Sequence, residues 1–488
     1  MSDTPARNVL FVVMDTVRKD HLSVYDDERE TTPGLETFAE EAAVYDQAVA
    51  PAPWTLPSHA SMFTGRYPGE HNATQENPYL EGHPTLAQSL TDHRSSCYSS
   101  NAWITPYTHL TDGFDSQDNF FEVMPGDLLS GPLARVWKTM NDNERLRQAA
   151  DWLVNLGNEI HEFLASGEGA DSKTPAVIDR TIEFIDGTDE PYFSFINLMD
   201  AHLPYHPPEE HKELFAPGVD STQVCQNSKE YNSGARTISE AEWNSIRGLY
   251  DAEIHHVDAQ LHRLFEWMRA NDEWDDTLVI VCADHGELHG EHGLYGHEFG
   301  VYDPIVNVPL MVKHPDLDPG RRDEQVELQD LYHTVLDHAD ARGKGLPLDR
   351  DRSLLSESHR EFDGGENAFV EYHRPVVELN QLENKASAAG IELDENSRFY
   401  SRMRAARRPD GKYIHNERIA DEAYRLDSDP EELADHTGDE DPIIADLESA
   451  LSEFEQNRDD WGSVEGEEVL SEMGDDAKQR LEDLGYID

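Results

Sequence analysis

Three uninterrupted apolar runs constrain this chain more than any other feature. Val9-Leu10-Phe11-Val12-Val13-Met14 ends at Asp15. Tyr192-Phe193-Ser194-Phe195-Ile196-Asn197-Leu198 leads to Asp200, and Thr277-Leu278-Val279-Ile280-Val281-Cys282 leads to Asp284-His285. A strand that is apolar throughout is covered on both faces, as parallel strands are between layers of helix. Each run then delivers an acid or an imidazole at its C-terminal edge, where open α/β sheets place their sites. Between the second and third runs, Ile246, Leu249, Tyr250, Ile254, Val257, Leu261, Leu264, Phe265 and Met268 recur at three- and four-residue spacing. That spacing predicts a long helix with one face on the sheet. The expected fold is α/β, a large mainly parallel sheet flanked by helices.

The remaining pattern is shorter in range. Thr32-Pro33 predicts a helix running through Ala43, with Thr32 as its cap and Pro33 in its first turn. A turn at Asp318-Pro319-Gly320 precedes a helix expected over Val326 to Ala341, and Gly343-Lys344-Gly345-Leu346-Pro347 marks a boundary. Beyond it, Ala368 to Tyr372 and Phe399 to Ala405 read as strands, and Asp410-Gly411-Lys412 as the turn before Tyr413-Ile414. This divides the chain into a catalytic α/β domain over 1–345, a smaller C-terminal α+β domain with an antiparallel sheet over 346–440, and an acidic helical tail over 441–488. A helix is expected near Val469 to Leu484 in that tail. The polar, weakly patterned stretches 123–175 and 205–240 read as insertions around the mouth of a site.

Charge narrows the partners. Asp and Glu number 100 against 39 Lys and Arg, a formal charge of -61 spread from Asp20 to Asp488, and only ten of the basic residues are Lys. An even acidic excess of this kind suits concentrated salt, where screening shortens self-repulsion. It excludes nucleic acid and anionic membranes as partners, because counterion release needs clustered Lys and Arg. Cys97, Cys225 and Cys282 are too few and too scattered for a disulfide framework. The N-terminal residues hold no apolar signal core, and no run approaches the roughly 20 residues that span a bilayer. The expected location is a high-salt cytoplasm.

Chemistry concentrates in Pro53-Trp54-Thr55-Leu56-Pro57-Ser58-His59-Ala60-Ser61-Met62-Phe63-Thr64-Gly65, which places a hydroxyl at the start of a helix. Free N–H groups and helix polarity favour a nucleophile attacking an anionic ester there, although Thr before x-Pro-Ser is also an ordinary cap. Asp15, Thr55, Asp284 and His285 together make an oxygen-rich shell with one imidazole, suited to one divalent cation. Such a cation lowers the pKa of the Thr55 hydroxyl. His255, His256 and His262 fall on the long helix and read as solvated or core-edge residues, since nothing near them in sequence converges.

Asp284-His285-Gly286-Glu287-Leu288-His289-Gly290-Glu291-His292-Gly293-Leu294-Tyr295-Gly296-His297 resembles the strand-terminal motif of the sulfatase family of the alkaline phosphatase superfamily. Asp15 to Leu22 is similar to that family's metal-binding opening, and Ala201-His202-Leu203-Pro204-Tyr205 to its His-x-Pro-Tyr segment. Arg404 to Ile414 and Tyr424 to Glu432 resemble its smaller domain. The resemblance implies a cation, usually calcium, at Asp15, Thr55, Asp284 and His285, with Mg, Mn or Zn also fitting the donors. It further implies ester-binding groups at His59, His202 and His297.

Four positions depart from the pattern. Thr55-Leu56-Pro57-Ser58-His59 replaces Cys-x-Pro-x-Arg, and threonine lacks the chemistry to become formylglycine. Thr16 replaces the second Asp of the opening pair, and His297 replaces a Lys. Asn101-Ala102-Trp103 stands near the family's Lys-Trp-His. A second metal at Asp200, His202 and His297 is the minor alternative to Asp200 simply orienting His202. The expected activity is hydrolysis of a phosphate mono- or diester or a sulfate ester, small-molecule or glycan, through Thr55. His202 or His297 would protonate the leaving group. A phospho- or sulfo-transferase and a catalytically silent binding protein are the alternatives.

Overall fold

A computed structural model describes residues 7–26, 28–120, 172–340, 348–356, 367–456 and 458. In chain order the strands are β1 (Val9–Met14), β2 (Ala43–Val49), β3 (Arg94–Ser99), β4 (Ser116–Asn119), β5 (Tyr192–Leu198), β6 (Leu278–Cys282), β7 (Leu288–His289), β8 (Tyr295–Gly296), β9 (Asn307–Lys313), β10 (Gly320–Glu327), β11 (Ala368–Tyr372), β12 (Met403–Arg408), β13 (Gly411–Asn416) and β14 (Glu422–Tyr424). The main sheet runs β10-β2-β9-β6-β1-β5-β3-β4. All of its pairings are parallel except those that β9 makes with β2 and β6.

The three apolar runs are the centre of this sheet. Every residue of β1, β5 and β6 is buried, and each fully buried Val, Leu or Phe contributes about 1.5–3 kcal/mol. Val9 pairs with Phe193 on one side and with Leu278 on the other, and the register holds to the strand ends. Asp15, Asp200 and Asp284 therefore emerge from one edge. A smaller antiparallel sheet, β11-β12-β13-β14, forms the C-terminal α+β unit.

The principal helices are α1 (Pro33–Ala39), α2 (Thr55–Thr64), α3 (Thr174–Asp186), α4 (Glu209–Phe215), α5 (Ser228–Asn232), α6 (Glu240–Ala270), α7 (Asp330–His338), α8 (Val376–Ala388) and α9 (Pro442–Gln456). The expected long helix is α6, and α9 lies on the small sheet with Ile444, Leu447 and Leu451 buried. None of the helices among the described residues is long and apolar enough to cross a membrane.

Three local expectations are corrected. The helix opened by Pro33 stops at Ala39, and Ala43 begins β2 instead. The helix expected from Val326 starts only at Asp330, because Val326 belongs to β10, paired in parallel with β2. The strand expected from Phe399 begins at Met403, after a 3-10 turn over Arg398–Tyr400. The segment 205–240 contains α4 and α5. The helix expected near Val469 to Leu484 lies outside the described residues, as does most of 123–175.

Candidate active site

Strand ends and one helix start assemble the site. Asp15 follows β1 directly, its N–H donating to Leu198 O at 2.9 Å. Its carboxylate accepts from Thr16 Oγ1 at 2.8 Å, Asn101 Nδ2 at 2.8 Å and Asn197 Nδ2 at 2.9 Å. Asp284 Oδ1 accepts from the backbone N–H groups of Thr16 (3.2 Å) and His285 (3.0 Å). Asp284 Oδ2 and His285 Nε2, both buried, have no hydrogen-bond partner and stand 3.4 Å apart. Ligand atoms of Asp15, Asp284 and His285 all lie within 4.8 Å of one another, the one such convergence of three among the described residues. Two orphaned buried donors beside a second carboxylate fit a divalent cation, as the family pattern implies.

The electrostatics agree with that fit. Burial raises the Asp284 carboxyl to about 8, with the Asp15 charge adding to the rise. Burial also opposes the charge on Asp15, but His285, His202, His59 and the Asn197 amide hold its carboxyl below the usual range. Two carboxylates this close share one negative charge until a cation supplies the balance.

Thr55 is the first residue of α2, with Trp54 rather than Thr55 as the N-cap. Its side chain is nearly buried, and Asn101 Nδ2 lies 3.3 Å from its Oγ1. One amide nitrogen thus joins Asp15 to Thr55. Ser58 Oγ donates to Asp284 O at 2.8 Å, tying the first turn of α2 to the edge of β6. Gly286 is needed next to this edge, since a Cβ there would lie 2.1 Å from Pro304 O.

A cavity of about 110 Å³ opens above Thr55, walled by Asn101, His202 and His297. His297 stacks obliquely on His285, ring centroids 4.5 Å apart, and sits 5.3 Å from His202. Burial, with His285 and His202 nearby, holds the His297 imidazole well below the usual range. His59 is placed differently. It lies fully buried one turn along α2, its Nδ1 2.9 Å from Thr55 O and 3.5 Å from Asp284 Oδ2, and is not part of the cavity wall. The Asp200 carboxylate accepts from the Ser172 and Thr174 hydroxyls.

The far wall consists of residues that sequence reasoning missed. Lys229 of α5 pairs with Glu298, while Gln75 donates to Glu378 of α8. Trp54 and Trp103 meet edge to face at 5.5 Å. Lys229 and Glu378 come from a weakly patterned segment and from the small domain, where no periodicity marks them. The scarcity of Lys in this chain was the one available signal.

The sulfatase family profile matches residues 7–341. Among curated relatives, the multifunctional alkaline phosphatase superfamily protein PehA of Trinickia caryophylli is 26% identical over 507 residues, covering 89% of this chain and 91% of that protein. An uncharacterized sulfatase of Escherichia coli, YidJ, is 23% identical and covers 91% of this chain and 85% of its own length. Among solved structures, the phosphonate monoester hydrolase of Agrobacterium radiobacter superposes with a TM-score of 0.65 at 20% identity, covering 92% of this chain and 95% of that one. The sheet order and the family profile that spans residues 7–341 lead to one assignment: the chain belongs to the sulfatase family of the alkaline phosphatase superfamily, hydrolases of sulfuric and phosphoric esters.

Proposed function

We propose that this protein hydrolyses a phosphorus ester, a phosphate mono- or diester, with Thr55 as the nucleophile. One observation carries this reading. Thr55 Oγ1 stands at the floor of the cavity, bonded through Asn101 to Asp15 of the carboxylate cluster, at the position where the family pattern has its nucleophile. A divalent cation held by Asp15, Asp284, His285 and Thr55, calcium by family pattern, would supply positive charge that acidifies the hydroxyl and neutralises the ester oxygens.

The residues divide the remaining work. Asn101 orients Thr55 Oγ1 for attack at phosphorus, and the N-terminus of α2 favours the negative charge that builds there. As the bond to the leaving oxygen breaks, His202 in the wall delivers a proton to it, while the neutral His297 ring lines the ester pocket. The product is a free alcohol and a phosphothreonine, which keeps the second ester group when the substrate is a diester. Water then releases phosphate from a monoester or a phosphate monoester from a diester, whereas an acceptor alcohol would complete a transfer. Threonine in place of the formylglycine precursor supports phosphorus over sulfur, since the aldehyde-hydrate route to sulfate cleavage is closed to it.

A substrate panel tests this. Nitrophenyl phosphate, phosphodiester, phosphonate and sulfate are compared for the wild-type protein and for Thr55→Ala. The expected result is preference for a phosphorus ester, with turnover falling at least about 10³-fold in the variant. Faster turnover on sulfate than on every phosphorus ester overturns the substrate, and unchanged turnover in Thr55→Ala removes it as nucleophile. Silence of the wild-type protein across the panel, with calcium present, would favour a binding protein instead.

A further inference from the structure

A chain of three imidazoles lies outside the chemistry described so far. His255 and His256 are on α6, and α4 brings His211 against both, its ring centroid 4.9 and 5.0 Å from theirs. The convergence is invisible in the sequence because His211 is far from the other two along the chain.

The proton positions follow from the buried end. The Ser172 hydroxyl donates to Asp200, so its oxygen accepts from His256 Nε2 at 3.0 Å. His256 Nε2 therefore carries the hydrogen, and Nδ1 of the neutral ring offers a lone pair. That lone pair faces His211 Nε2 across 3.3 Å. The other nitrogen of His211, Nδ1, is tied to His255 Nδ1 at 2.7 Å. Burial holds all three rings below the usual histidine range, His211 down to about 4, with adjacent imidazoles adding to the effect for His211 and His255. Neutral imidazole is the form that binds metal.

We infer that His211 Nε2 and His256 Nδ1 form a second metal site, for a dication of the zinc type, completed by the Glu210 carboxylate and water. Zn–N bonds of about 2.0–2.1 Å put two nitrogens of a tetrahedral shell roughly 3.3 Å apart, the separation these atoms already have. The second nitrogen of each ring is held by an outer partner, Ser172 for His256 and His255 for His211, as the rings of metal-ligating histidines are. Glu210 Oε1 lies 3.6 Å from His211 Nε2 on a side chain 84% exposed, so it can turn onto an ion. An imidazole pair selects zinc, copper or nickel over calcium, in contrast to the oxygen-rich cluster at Asp15 and Asp284.

Binding moves the His211 hydrogen from Nε2 to Nδ1, where it donates to His255 Nδ1 while the His255 hydrogen sits on its own Nε2, so all three rings stay neutral and no proton is lost. The ion clamps α4 to α6. Through Ser172 and Asp200 it also stiffens the turn that leads into His202.

Calorimetric titration of the full-length, calcium-saturated protein with Zn²⁺ tests the site. The wild-type protein should bind one more equivalent of Zn²⁺ than His211→Gln, and the two should turn over the nitrophenyl panel equally. His255→Gln removes only the outer tie and should weaken that equivalent by about 10–100-fold. Equal zinc stoichiometry and affinity in wild type and His211→Gln overturn the proposal. Where His211→Gln fails to fold, Glu210→Gln and His255→Gln decide, and zinc affinity unchanged in both likewise overturns it.

Discussion

Thr16 carries more of the site's geometry than its side chain suggests. It adopts φ 64, a left-handed conformation that is strained for a β-branched residue and costs of order 1–3 kcal/mol. The strain places its N–H on Asp284 Oδ1 and its hydroxyl on Asp15 Oδ1, so one residue spaces two buried carboxylates. Tyr250 OH holds the carbonyl of Thr16 at 2.7 Å from the other side. Asn101 performs the matching task between Asp15 and Thr55. Replacing it by Ala frees Thr55 Oγ1 and leaves Asp15 Oδ2 one donor short. Turnover should fall about 10²–10³-fold, the usual effect of losing one oriented donor at a reacting group. Steady-state kinetics on the best substrate of the panel would read this, and a loss confined to KM would show that Asn101 binds substrate rather than orienting Thr55.

At the scale of elements, one buried cluster of charges ties the small sheet to the large one. Arg407 of β12, almost wholly buried, donates to both carboxylate oxygens of Asp303 and to Gln325 of β10 and Gln47 of β2. Lys412 of β13, wholly buried, reaches Asp303 and Glu432. Removing one member of a buried network strands its partners, at a cost of about 3–5 kcal/mol. Arg407→Ala should lower stability by roughly that amount and lower the urea midpoint accordingly. Arg407→Met, which fills the space, should lose as much only if the stranded Asp303 charge dominates. The same strands show what the sequence hides. The central strands β1, β5 and β6 were legible because burial on both faces forces apolar residues at every position. Edge strand β10, Gly-Arg-Arg-Asp-Glu-Gln-Val-Glu, is largely solvent-facing, so its pattern carries no burial signal and its last residues read as helix. Asp15, Thr55, Asp284 and His285 were legible because each sits at an element boundary that local pattern marks. Lys229, Gln75 and Glu378 were not, since only the packing of distant segments brings them to one cavity.

The whole molecule carries a formal charge of -61. Among the described residues many carboxylates find Arg partners, as Asp251 does with Arg29 and Asp303 with Arg407. With 100 acids to 39 bases, most acids have no cation to meet. Their repulsion acts over the Debye length, about 10 Å at 0.1 M salt and about 3 Å at 1 M, so concentrated salt removes the long-range part and leaves the local pairs. We expect the thermal midpoint to rise by roughly 10 °C or more between 0.1 M and 2 M KCl, equivalent to several kcal/mol for a chain of this size. Two further observations separate screening from a general salting-out of apolar surface. Screening depends on ionic strength, so NaCl and KCl should act alike and most of the gain should come below about 1 M. Salting-out would keep growing with concentration and rank sulfate far above chloride at equal ionic strength. A midpoint that stays flat from 0.1 M to 2 M KCl would show that the acidic surface is not a burden this fold relies on salt to relieve.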